Sequence, residues 1–389
     1  MKQSCATEYL REHVIDADLC TNCGACVNLC PYFTSYNDRI VVLDDCNKTD
    51  GGCLDVCPRL PTDLPALSSP FFDERDITPE AGAIKAFYIT RAADMNVRRN
   101  AQHGGTVTAL IDLGLKVGLI DVAVLSAAAE PFLPVGMAVT GDGQPGQVSK
   151  SRFVVSPNVA MFNELVKGKA TSIGVVATPC QALALAKMRN SRNSRIRENS
   201  KKLRLVIGLF CGWAFSSSAL KELLAGKMNL DSIIGMDIPP SKYHSLDVFT
   251  TEGKVSISLD EVQKCVRPCC YSCSDMTAEF SDISVGSARL PEGWEEARSW
   301  NQVIVRTETG QKLMALAQSK GVLEFREVPE GNLEKLKKAS LNKKRTGEKH
   351  LKDMAVGNKW RPLQVPAATN QMKKGADISV GSGRGEGLE

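Results

Sequence analysis

Between residues 81 and 329, short and nearly continuous runs of Val, Ile and Leu alternate with longer stretches in which apolar residues recur at helical spacing. The short runs predict strands at 121–125, 171–177, 205–210, 232–237, 282–286, 302–307 and 322–328. The longer stretches predict helices at 106–117, 159–167, 181–189, 217–228 and 310–320. Strands with no polar face suit a sheet covered on both sides. Their alternation with helices predicts an α/β fold with a mixed or parallel sheet. Elsewhere the pattern breaks. Residues 1–19 read as a short, partly helical lead-in, and 60–80, with Pro61, Pro65, Pro70 and Pro79, as a linker. The Arg-, Asn- and Ser-rich stretch 189–204 reads as an exposed loop. From 335 the chain turns basic, and 363–389 lacks periodicity, so 335–389 is expected to be a disordered basic tail. A charged tail of this kind is more often solvated than a dock for an acidic partner.

A length of 389 residues is enough for two or three domains. The net charge of +4 is weak and gives no reason to expect a nucleic-acid partner. No apolar run approaches the roughly 18 residues of a membrane span. Cysteine is the outlier. Seven of the 14 cysteines lie between Cys20 and Cys57, and four between Cys265 and Cys273. The first residues are polar and have no apolar signal segment. The expected setting is therefore the reducing cytoplasm, with thiolates held on metal rather than in disulfides.

Cys20-Thr-Asn-Cys23-Gly-Ala-Cys26-Val-Asn-Leu-Cys30-Pro31 is a C-x2-C-x2-C-x3-C-P run. Three thiolates on one tight loop can converge on three corners of a [4Fe–4S] cluster, and the fourth Cys of such a run serves a second cluster. Gly24 is expected to let the backbone approach the sulfides, and Pro31 to end the turn that carries Cys30. Zinc held by two of the pairs is the weaker reading of this spacing. The return segment, Cys46-Asn-Lys-Thr49-Asp50-Gly-Gly-Cys53-Leu-Asp-Val-Cys57-Pro58, repeats C-x3-C-P but has Thr49 where another cysteine belongs. Cys20, Cys23, Cys26 and Cys57 then complete one cluster, while Cys30, Cys46 and Cys53 leave a second one ligand short. Cys5, Asp50 or water can fill the gap, the second cluster can be a three-iron species, or only one cluster forms. Two clusters is the favoured reading, since it gives Cys30 and Cys53 a role.

Four further segments stand out: Gln102-His103-Gly104-Gly105-Thr106-Val-Thr-Ala-Leu110, Ala177-Thr-Pro-Cys180-Gln181, Leu209-Phe-Cys211-Gly212, and Arg267-Pro-Cys269-Cys270-Tyr-Ser-Cys273 followed by Asp282-Ile-Ser-Val-Gly286. Taken singly, a Cys at a strand end is more often a small buried hydrophobe. A Gly pair before a helix is more often a turn than a phosphate cradle. Cys270 and Cys273 can chelate on one turn, as a cluster edge or a zinc knuckle.

In this order, the segments resemble the family of coenzyme F420-reducing hydrogenase and formate dehydrogenase beta subunits, whose members include plant and cyanobacterial chlorophyll-pathway reductases. The likeness runs from Cys20 to about Pro329. It implies an α/β oxidoreductase with a bacterial ferredoxin-like N-terminal domain (11–66), followed by an α/β flavin-binding core with a mixed sheet (80–332). By the same likeness, Cys180, Cys211, Cys270 and Cys273 would hold a further cluster, with Cys265 and Cys269 as neighbouring alternatives. The total is then two to three [4Fe–4S] clusters and one FAD. His103, Gly104, Gly105 and Thr106 match the flavin-binding stretch, with His103 either contacting flavin phosphate or capping the helix. Lys150, Ser151 and Arg152 match flavin-phosphate contacts. The implied activity converts hydride transfer, with coenzyme F420 or another hydride carrier, into one-electron transfer through the clusters. The implied partners are larger hydrogenase or dehydrogenase subunits or another redox protein. The alternatives are a stand-alone ferredoxin-dependent reductase of a small organic substrate and a flavin-free iron–sulfur carrier. No general acid or base is required, and none is named.

Overall fold

The computed structural model describes residues 4–130, 132–141 and 153–356. Eight strands form one mixed sheet in the spatial order Leu323–Arg326, Ala86–Ala92, Asn301–Val305, Ile283–Ser287, Leu203–Leu209, Ile173–Ala177, Val122–Glu130, Leu133–Thr140. Ile283–Ser287, Leu203–Leu209, Ile173–Ala177 and Val122–Glu130 run parallel at its centre, and the flanking strands pair antiparallel. Every residue of Ile173–Ala177 and of Asn301–Val305 is buried, as their apolar runs require.

Alternate residues of these strands serve opposite faces. Val176, Leu205 and Ile207 pack with Leu110 and Ile111 of helix Thr106–Lys116 and with Leu313 and Met314 of helix Glu308–Ser319. Val175 and Val206 pack with Phe162 of helix Asn158–Leu165 and with Leu185 and Met188 of helix Pro179–Arg189. The second face also receives Cys23, Ala25 and Val56, so the N-terminal module is seated on it. Cys180 and Cys211 follow directly from the carboxyl ends of neighbouring parallel strands, the edge at which α/β sheets commonly carry their sites.

A smaller antiparallel sheet of Ile233–Asp237, Ser245–Thr250 and Gly253–Ser258 packs Leu246, Val248 and Ile257 against Leu220 and Leu224 of helix Ser217–Ala225. The N-terminal module consists of helix Ala6–Leu10 with a π turn over Arg11–Ile15, the hairpin Phe33–Tyr36 with Arg39–Val42, and helix Gly52–Val56. Asn37 and Asp38 turn the hairpin with positive φ angles of 45° and 60°, the pattern of a two-residue type I′ loop. Among the described residues no helix is long and apolar enough to cross a membrane.

Three polar stretches have more order than their composition implies. The expected linker over 60–80 contains helix Leu64–Ser68 and buries Leu67 and Phe72. The expected loop over 189–204 contains helix Ser194–Ser200, started by the Asn193 side chain accepting from the amides of Arg195 and Ile196. The expectation of a disordered tail from 335 fails over Asn332–Val356, a 25-residue helix. Its inward stripe is Asn332, Leu336, Ser340 and Gly347, with only one large apolar residue, so hydrophobic periodicity did not mark it. Residues 357–389 of that tail lie outside the described residues.

Arg306 is fully buried at the margin of the large sheet. Its guanidinium donates to Ser284 Oγ (2.7 Å), the carbonyls of Ala81 (2.6 Å) and Ala83 (2.8 Å), and the carbonyl (3.0 Å) and hydroxyl (2.9 Å) of Thr277. Burial lowers it to about 10, against the pull of Glu279 and Asp275. One side chain thereby ties the end of the 60–80 segment to the loop that follows Cys273.

Candidate functional site

The tight loop from Cys20 to Cys26 is shaped by positive φ at Asn22 (54°) and Gly24 (85°). It brings Cys20, Cys23 and Cys26 to one wall of an apolar cavity of about 30 Å³, and Cys57, after helix Gly52–Val56, reaches the same cavity. Burial pushes the Cys20 thiol up to about 12, and Cys57 repels it further. Burial also raises Cys23 and Cys26 well above the usual thiol range, and the other thiols of the set add to it. Four thiols repelling one another around one apolar cavity are a donor set that a multi-iron group would stabilise in ionised form. Among the described residues no three His, Cys, Asp or Glu side chains stand close enough to hold a single metal ion.

Gly24 also serves a purpose that its spacing does not announce. A Cβ there would stand 2.8 Å from both the Ala160 amide nitrogen and the Pro157 carbonyl oxygen. The glycine is needed for the left-handed turn and for close approach to helix Asn158–Leu165.

Cys53 is raised to about 12, by burial first and then by Cys30 and Cys46, which places these three thiols together. Cys46 is the more open of them. Burial raises its thiol, but hydrogen bonds involving Lys48, Thr7 and Ala6 outweigh that and bring it to about 7.

The third set lies across the seam. Cys180 rises to about 11 through burial, with Cys273 adding to it, and Cys211 to about 12 through burial, with Cys180 and Cys273 adding to it. The adjacent thiols of Cys269 and Cys270 share a hydrogen bond that pushes Cys270 up and draws Cys269 down, with Cys211 further raising Cys270. Cys180, Cys211, Cys270 and Cys273 are thus brought together. Cys269 stands behind them, beside Arg267 and within electrostatic reach of Cys20. Cys265 does not join them, since its thiol faces the Ala219 carbonyl at 3.4 Å in the core of the smaller sheet. The first and third sets meet where Cys23 and Cys180 repel each other.

Polar contacts clamp this seam. Arg267 donates to Asp38 Oδ2 at 2.8 Å and to the Cys20 carbonyl at 3.3 Å, with both charged side chains nearly buried. Asn163 donates to the carbonyls of Ala25 (2.9 Å) and Val27 (2.8 Å), and Asn28 to that of Ala160 (3.1 Å). Lys187 donates to the Cys57 carbonyl (2.6 Å), and Arg59 to Ser272 Oγ (2.7 Å). On the outer side, Lys343 of helix Asn332–Val356 donates to the Gly212 carbonyl and lowers the Cys211 thiol, and Lys344 pairs with Glu279. Gly347 lies so close that a Cβ would stand 2.6 Å from the Cys273 carbonyl oxygen. Of these positioning residues only Arg267 had a motif to mark it. Asp38, Asn163, Lys187 and Lys343 each act on a segment more than a hundred residues away and carry no local signal.

The expected flavin stretch is more internally satisfied than a free cradle. The Thr106 amide donates to Asn301 Oδ1 at 3.2 Å, and its hydroxyl bonds Thr90 at 2.9 Å. A Cβ on Gly104 would stand 2.8 Å from the same Asn301 oxygen, and Gly105 has φ 79°. His103 does not cap the helix. Its ring lies edge-on to Trp294 with centroids 5.6 Å apart, and its Nε2 stands 4.0 Å from Asp237 Oδ1. Burial lowers its pKa against the opposing pull of Asp237, while Arg289 and Arg298 lower it further. His103 Nδ1 has no hydrogen-bond partner among the described residues. Lys150, Ser151 and Arg152 lie outside the described residues.

Three family models match the chain: a 4Fe-4S binding domain over residues 13–33, the N-terminal part of the coenzyme F420 hydrogenase/dehydrogenase beta subunit over 87–163, and its C-terminal part over 170–331. Coenzyme F420 hydrogenase subunit beta of Methanococcus voltae is 30% identical over 69% of this chain and 95% of its own length. A subunit of the F(420)H(2) dehydrogenase of Methanosarcina mazei is 28% identical over 88% of this chain and 94% of its own length. A chain of the F420-reducing [NiFe] hydrogenase complex from Methanosarcina barkeri shares the fold, with a TM-score of 0.67 and 24% identity over 74% of this chain and 98% of that one.

Proposed function

Since the chain belongs to the family of coenzyme F420 hydrogenase/dehydrogenase beta subunits and is an oxidoreductase with a 4Fe-4S motif, we propose that it exchanges electron pairs with a hydride carrier and single electrons with a protein partner. The hydride carrier is coenzyme F420, and the partner is a larger hydrogenase or dehydrogenase subunit. When bound, FAD supplies the change from two-electron to one-electron transfer and the clusters supply the one-electron relay.

The chain's residues bind and orient. Cys20, Cys23, Cys26 and Cys57 hold one cluster, and Cys180, Cys211, Cys270 and Cys273 another. Arg267 and Asp38 fix the distance between the two sets. His103, Gly104, Gly105 and Thr106 border the flavin, and Lys150, Ser151 and Arg152 contact its phosphates. The observation that carries this reading is the meeting of two buried thiol sets at one seam, where Cys23 neighbours Cys180 and Cys20 neighbours Cys269. Burial and amide hydrogen bonds to sulfur are the means by which such a site tunes potential.

A second reading, the flavin-free carrier, is favoured by one observation: the amide and the hydroxyl of Thr106 already have protein partners. Anaerobic purification followed by flavin extraction and an iron count separates the two. The proposal expects about one FAD per chain, iron in multiples of four and reduction of the flavin by reduced F420. Full iron with no flavin overturns it in favour of the carrier.

A further inference from the structure

The second thiol set is one ligand short by sequence, with Thr49 standing where the repeat places a cysteine. We propose that Cys5 supplies the missing ligand, so that Cys5, Cys30, Cys46 and Cys53 hold a second [4Fe–4S] cluster within the N-terminal module. The inference rests on reading that module as an iron–sulfur carrier.

The geometry brings a distant residue to the gap. Helix Ala6–Leu10 is laid along the 46–48 loop, with the Ala6 amide donating to the Lys48 carbonyl at 2.7 Å. The same carbonyl accepts from the Cys46 thiol at 3.4 Å. The Thr7 hydroxyl stands 3.3 Å from Cys5 Sγ and accepts from the Cys46 amide at 2.8 Å, so one hydroxyl lies against both residues. Cys53 closes the arrangement from below. The point a Cβ on Gly51 would occupy is 3.2 Å from Cys53 Sγ and 2.8 Å from Ala6 Cβ. Cys53 in turn neighbours Cys30 and Cys46. Four thiols from three separate segments therefore border one small region.

The other candidates for the vacancy are less well placed. Asp50 and Thr49 are exposed. Asp45 is already taken by Arg11 at 2.5 Å and is approached by the Thr7 hydroxyl at 3.5 Å. A thiolate matches the other three ligands in softness, and each thiol gives up its proton as it binds iron.

The test uses the full chain, purified or reconstituted anaerobically, with iron and acid-labile sulfide counted per chain and the reduced protein examined by electron paramagnetic resonance. Wild type is expected to carry about twelve irons, four for each of three clusters. Cys5→Ser is expected to lose between about one and four irons and to abolish or alter the resonance of a single cluster. Serine is a favoured residue at the start of a helix, so this change preserves Ala6–Leu10, and circular dichroism checks that it does. Cys46→Ser should remove the same resonance, and the double variant should lose no more iron than Cys46→Ser alone. Cys265→Ala, whose thiol lies in another core, should leave iron and spectrum unchanged. Unchanged iron and resonance in Cys5→Ser overturn the assignment of Cys5, as does a wild-type chain with about eight irons. A wild-type chain with no iron overturns the module reading as well.

Discussion

The N-terminal module and the α/β core are built on opposite principles. The core buries long aliphatic runs on both faces of an eight-stranded sheet and places the fully buried Arg306 among five acceptors. The module has a small apolar cluster around Leu10, Val14, Leu19, Phe33 and Ile40, and its middle is lined by thiols. Segments of its size bury a small share of their surface and are marginal on their own. It leans on the core through Cys23, Ala25 and Val56 and on the iron it is proposed to bind. One region is held by its own packing, the other by what docks on it.

That contrast can be broken most directly by removing metal. Iron chelation under reducing conditions should open the region from residue 4 to residue 60 to protease while the sheet still melts as one cooperative unit, read by limited proteolysis beside a thermal melt. Loss of both at once would mean that the two regions share their stability. Next in size, Arg306→Ala should cost the core ~3–5 kcal/mol in chemical denaturation, because several buried carbonyls lose their donor together. Iron content at the module should change little. The smallest effect is expected at the seam. Asp38→Asn should cost ~1–3 kcal/mol by leaving the Arg267 charge without its partner, and adding Arg267→Gln should cost less than the sum of the two. Additive costs would show that the pair does not couple module and core.

Much of this design was legible beforehand, for physical reasons. The central strands are apolar on both faces and cannot be mistaken for loops, and Cys180 and Cys211 follow strands that were expected. Leu133–Thr140 was missed because an edge strand can tolerate Pro134 and Gly136, residues that argue against a strand anywhere else. Ser245–Thr250 alternates buried and half-buried positions, a period-two signal that was present and passed over. The cysteine spacing named the ligand candidates but not the clamp around them. Arg267 with Asp38, and Asn163 with Ala25 and Val27, join residues more than a hundred positions apart, which no local pattern can announce. The closeness of Gly24 to Pro157 and Ala160 was not legible, because spacing says that room is needed but not on which sides.

The family-model match ends at residue 331, and helix Asn332–Val356 begins immediately afterwards. A boundary drawn from the family model alone would therefore cut away the segment that covers Gly212 and Cys273 from outside and sets an ammonium group beside Cys211. A chain shortened there would keep its whole sheet yet admit solvent and oxygen to the thiols of the core. A helix that the family model leaves out is thus the roof over the third thiol set.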